Sequence, residues 1–181
     1  AARPAAAAVT IPGQVGPAVP YVTPAGTPAH VVYAYLGAVD DAHYARLTIP
    51  DGLNPATPTP TVMVLHGATN TEDTVTGPAM ARVVDAWLDR GWPVVSTREG
   101  SRTYYTAGGK YVGVGLWGNE WSRRGMVDQW RALPWTPDPH GILAYGISMG
   151  GGAAFNLAAE ARAQGVPVAA VYSVDGATSL A

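Results

Sequence analysis

Gly146-Ile147-Ser148-Met149-Gly150 joins an apolar run, Ile142-Leu143-Ala144-Tyr145, to a helix-like run that begins at Met149. A backbone bent this sharply brings the residues two before and two after the bend into collision, so both must be glycine, and the side chain at the bend stands clear. The bare pattern is weak in a chain with 22 glycines, where an ordinary strand-to-helix turn also produces it. Strand before and helix after predict the stronger reading, a nucleophile elbow with the Ser148 hydroxyl at the carboxyl end of a buried strand. Gly150, Gly151, Gly152, Ala153 and Ala154 let the helix lie close on the sheet, its N-terminus directed at the serine.

Outward from the elbow, helix and strand patterns alternate. The helix is predicted over 149–164 with Gly165 as its stop, and a strand follows over 168–174. Upstream, Met126, Val127, Trp130 and Leu133 share one helical face that ends at Pro134, Pro137 and Pro139, and the Gly- and Tyr-rich stretch 101–115 before it reads as a loop. A short buried strand is predicted over 93–96. Met80, Val83, Val84, Trp87 and Leu88 recur at helical spacing, with Arg82, Asp85, Asp89 and Arg90 opposite, Pro78 in the first turn and Gly91 past the end. The continuous apolar run 61–65, ending in His66-Gly67, has the pattern of a strand buried on both faces. Runs at 31–36 and 44–49 flank Gly37-Ala38-Val39-Asp40-Asp41 and predict an antiparallel pair, with Tyr33, Tyr35, Leu47 and Ile49 available for a core. The order predicts an α/β domain over 30–181: a mostly parallel sheet with helices on both faces and its first strands antiparallel.

Residues 1–29 differ in kind. They hold Pro4, Pro12, Pro17, Pro20, Pro24 and Pro28 and a single charge, Arg3. Proline fixes φ and removes a donor, which excludes a helix or a central strand and predicts an extended linker or an arm laid on a neighbouring surface. Ile11, Val15, Val19, Tyr21 and Val22 favour the arm, because they would be poorly placed in water.

The bulk composition removes several classes of function. With 181 residues and 48% hydrophobic residues, the chain can bury one core. A net charge of -2 and eleven scattered Lys and Arg supply no basic field for nucleic acid. There is no cysteine, and His30, His43, His66 and His140 lie too far apart for a local ligand motif, so neither a metal nor a cofactor is expected. No apolar stretch reaches the roughly twenty residues of a membrane span. A start at Ala1 fits a mature secreted or cell-envelope protein, and initiator removal would look identical.

A serine hydroxyl needs a base to take its proton and donors to hold the oxyanion formed on attack. The predicted donors are the backbone N–H of Met149, next to the nucleophile at a positive helix end, and that of Ala68, in the loop after His66-Gly67. These elements, Val62-Met63-Val64-Leu65-His66-Gly67-Ala68 and Gly146-Ile147-Ser148-Met149-Gly150-Gly151, resemble the α/β-hydrolase superfamily, in its esterase or peptidase-like branch, over about 31–175. The resemblance implies a serine hydrolase of carboxylic esters working through an acyl-enzyme on Ser148. It also implies a triad in the order Ser, then Asp or Glu, then His. Here the sequence departs from the pattern. Thirty-three residues follow Ser148 and none is histidine, so the acid and the His are expected beyond Ala181, with Asp175 as an alternative acid at a strand end. The C-terminal strands of the fold would then be missing from this sequence. Tyr104, Tyr105, Tyr111, Trp117 and Trp121 are candidates for lining a small-molecule or cell-envelope ester pocket, or for core and lid packing.

Two other readings compete. Strand, glycine-rich turn, helix, strand and Asp175 imitate a dinucleotide-binding unit, but Ser148 stands where a glycine is needed and Asp175 lies 29 positions after Gly146 rather than about 20. The uncharged arm also suits a structural or receptor-binding component of a cell-envelope or viral tail assembly, carrying an inactive hydrolase-like domain and a protein partner for the arm.

Overall fold

The computed structural model describes residues 9–67, 70–98 and 119–174, together with the backbone of 102–105 and 111–114. Its elements in chain order are β1 (Gln14–Val22), β2 (Pro28–Tyr35), β3 (Tyr44–Pro50), β4 (Val62–Leu65), α1 (Pro78–Leu88), β5 (Val94–Thr97), β6 (Arg102–Tyr105), β7 (Tyr111–Val114), α2 (Glu120–Arg131), β8 (Ile142–Ile147), α3 (Met149–Ala163) and β9 (Val168–Val174). Seven strands form one sheet in the order β1-β2-β3-β5-β4-β8-β9. The steps from β1 through β2 and β3 to β5 are antiparallel, and β5, β4, β8 and β9 run parallel. The mixed sheet is the one the sequence predicts.

Strand β4 shows why its run is apolar throughout. Met63 and Leu65 face one core, with Met126 and Trp130 of α2 and Ala153 and Leu157 of α3. Val62 and Val64 face the other, with Met80, Val84 and Leu88 of α1. Helices on both faces leave no position of the strand for a polar side chain.

Three expectations change. The stretch 101–115, read as a loop, contains the antiparallel pair β6–β7, with Tyr105 opposite Tyr111. Tyr33 and Tyr35 do not join Leu47 and Ile49. Tyr33 pairs with Arg46 and Tyr35 with Tyr44, whereas Leu47 pairs with Val32, and directly paired residues share a face. Within the segment read as an arm or linker, β1 is an edge strand hydrogen-bonded to β2. Pro17 and Pro20 fit there, since an edge needs no donor on its outer side. Ile11 is buried, while Val15, Val19 and Val22 remain exposed.

Candidate active site

Ser148 follows the last residue of β8 and caps the N-terminus of α3. Its φ of 53° and ψ of -122° make it the one non-glycine residue with positive φ among the described residues. The bend is anchored on both sides: Ser148 N–H donates to the Val174 carbonyl at 2.8 Å, and Gly151 N–H to the Ser148 carbonyl at 2.9 Å. The flanking glycines are obligatory for the reason the sequence suggests. A Cβ on Gly146 would stand 2.1 Å from the Gly150 oxygen, and one on Gly150 would stand 2.3 Å from the Leu65 oxygen. The hydroxyl-bearing residue itself is exposed. Met149 opens α3, so its amide belongs to the first turn, whose N–H groups have no intrahelical acceptor.

The end of β4 meets the elbow. Leu65 pairs with Gly146, and a Cβ on Gly67 would lie 3.2 Å from Ser148 Cβ and 3.8 Å from Ser148 Oγ. A side chain at position 67 would crowd the serine, so the Gly67 backbone lies directly against it. Two groups hold the Gly67 carbonyl: His66 Nδ1 at 2.8 Å and the Asn70 N–H at 3.3 Å. Ala68 and Asp175 lie outside the described residues, as does Trp117. Tyr104, Tyr105 and Tyr111 are on β6 and β7, of which only the backbone is described, and Trp121 is exposed.

No described histidine is engaged with Ser148. His66 is fully buried, its Nε2 3.2 Å from the Arg98 carbonyl. His43 Nδ1 lies 2.7 Å from Asp40, His30 Nδ1 2.8 Å from Asp51, and His140 Nδ1 2.6 Å from Asp138. His140 precedes β8 and so stands at the opposite end of the strand from the serine. Among the described residues no cluster of His, Cys, Asp or Glu could hold a metal, and no helix is long and apolar enough to cross a membrane.

Sequence reasoning missed a half-buried ion pair beside this site. Glu72, only 3% exposed, takes two hydrogen bonds from Arg98, Nε to Oε2 at 3.0 Å and Nη2 to Oε1 at 2.5 Å. The guanidinium stacks 3.9 Å above the Tyr44 ring, and Asp41 is 3.6 Å from its Nη1. Burial opposes the Arg98 charge, but the hydrogen bonds and charge of Glu72 outweigh it and hold its pKa above the ordinary value. No local pattern links residues 72 and 98. Next to this pair, a cavity of about 480 Å³ opens between the turn carrying Asn70, Thr71 and Thr74, the start of α1 at Gly77 and Met80, and Ile147.

Solved structures share this fold. Candida antarctica lipase A in its closed state matches with a TM-score of 0.51 and 16% identity, over 83% of this chain and 38% of that one. An S-formylglutathione hydrolase from Agrobacterium tumefaciens matches at 0.50 and 17% identity, over 83% and 57%. A dienelactone hydrolase-like promiscuous phosphotriesterase from metagenomic libraries matches at 0.50 and 16%, over 91% and 60%. The fold is that of the α/β-hydrolases. The chain spans between about two fifths and three fifths of these structures. No family model and no curated protein matches the sequence.

Proposed function

We propose that the chain is the nucleophile-bearing part of a serine hydrolase of carboxylic esters. Ser148 attacks the ester carbonyl, an acyl-enzyme forms, and water releases it. The oxyanion is held by the Met149 amide and the Ala68 amide. The triad acid and His come from sequence beyond Ala181, in keeping with the partial span of the matched structures.

The observation that carries this reading is the exposed Ser148 at positive φ, packed against Gly67. Such strain persists where the surroundings impose it, and it clusters at functional sites. The test is a fluorophosphonate probe applied to the full-length protein. Labelling at Ser148 that disappears in Ser148→Ala supports the reading. An inert serine in the full-length protein removes it.

A further inference from the structure

Arg98 follows the end of β5 and continues its pairing with β3, donating its N–H to the Tyr44 carbonyl at 3.0 Å. It touches the loop after β4 twice. Its carbonyl oxygen lies 3.2 Å from His66 Nε2, at the start of the loop, and its guanidinium holds Glu72 through two hydrogen bonds at the end. Between these points lie Gly67, against Ser148, and Asn70, whose N–H reaches back to the Gly67 carbonyl. His66 adds its own bond to that carbonyl through Nδ1. The ring orients only the start of the loop, where it meets the Gly67 and Arg98 carbonyls. The Glu72 pair supplies the second anchor. A buried carboxylate is tolerated only when paired and hydrogen-bonded, and a planar fork meeting a carboxylate through two bonds fixes orientation as well as distance. The stacking on Tyr44 takes away the guanidinium's remaining freedom.

We infer that Arg98 is a positioning residue, holding Glu72 while its carbonyl meets His66, so that Gly67 stays packed against Ser148. The kinetic consequence rests on the serine-hydrolase reading; the conformational consequence does not. Arg98→Lys keeps the buried charge paired but cannot form the two-bond fork, and Glu72→Gln keeps the shape while removing the charge.

The experiment compares wild type, both variants and Ser148→Ala in the full-length protein, by hydrolysis of p-nitrophenyl acetate and by amide hydrogen exchange. Misaligned oxyanion donors lower kcat by about 10- to 100-fold. Arg98→Lys is expected to do so with KM within about threefold, because so small an ester takes little binding from the loop. Exchange is expected to quicken over 67–76 and to stay slow in β4 and β8. Unchanged kcat in a wild type that turns over the ester overturns the inference, and so does a loss of protection spread across the sheet, which marks a merely structural pair. If wild type and Ser148→Ala are equally inert, the hydrolase reading fails. The exchange pattern then decides the grip alone: local quickening supports it, and no change overturns it. Where Glu72→Gln does not fold, Arg98→Lys carries both readouts.

Discussion

At Ser148 one backbone angle separates a strained turn from an ordinary one. With φ of 53° and ψ of -122°, the residue occupies a region that glycine enters freely and that costs any L side chain about 1–3 kcal/mol. The strain is retained because Gly146 and Gly150 make the tight bend possible and because the Ser148 N–H is tied to Val174. Replacing the serine by glycine should therefore relieve a cost that replacing it by alanine does not. Ser148→Gly is expected to be more stable than Ser148→Ala by about 1 kcal/mol, after subtracting the extra freedom glycine has when unfolded, with both inert toward a fluorophosphonate. Urea titration of the two variants checks it; equal stabilities would mean that the bend stores no more strain than glycine's unfolded freedom offsets. The sharp bend at Ser148 was legible in the sequence because its constraint is steric and local, five residues long. The Arg98 grip was not, because its members lie 26 residues apart and only the adjacency of β4 and β5 brings them together.

Elements are coupled here through tyrosines. Tyr21 of β1 donates its hydroxyl to Asp85 of α1, and Tyr33 of β2 donates to Asp73 in the turn before α1. Burial, first, and then these hydrogen bonds to carboxylates push both phenols up to about 12. A folded-state pKa above the unfolded value of 10.0 means that the native state favours the neutral phenol. The stability contributed is complete below pH 10 and is lost as the pH climbs through about 12. Thermal unfolding is expected to show Tm level from pH 8 to 9.5 and falling between pH 10 and 12. In Tyr21→Phe the fall should be shallower, from a lower starting value, since Asp85 has lost its donor. A variant with an unchanged alkaline slope would disconnect Tyr21 from it. Helices and buried strands were legible because their apolar spacing repeats over many residues. The face taken by Tyr33 and Tyr35 was misread because alternation fixes which residues share a side but not which side meets the core. The β6–β7 pair was misread because glycine and tyrosine are equally at home in a loop.

For the molecule as a whole, residues 9–22 decide how much of the sequence is needed for a stable sheet. Their prolines suggested an extended segment, and from Gln14 to Val22 it is extended, yet composition could not reveal that it lies along the chain's own β2. Ile11 is buried in the larger core, the Gly13 carbonyl accepts the Tyr35 N–H at 3.0 Å, and Tyr21 covers Asp85, itself only 9% exposed. Burying an isoleucine contributes about 1.5–3 kcal/mol, and stripping the donor from a buried carboxylate costs about 1–3 kcal/mol more. Deleting residues 9–22 from the full-length protein should therefore cost at least about 2.5 kcal/mol. The loss should be read as a lower urea midpoint, together with exposure of the β2 edge and a tendency to associate through it. A linker or a free arm predicts the opposite, an unchanged midpoint with an unchanged slope. Because β1 is uncharged and its Val15, Val19 and Val22 face solvent, an intermediate result has a distinct meaning. If the midpoint holds while association appears, the strand shields an edge without contributing to the core, and the burial of Ile11 would be the point in error.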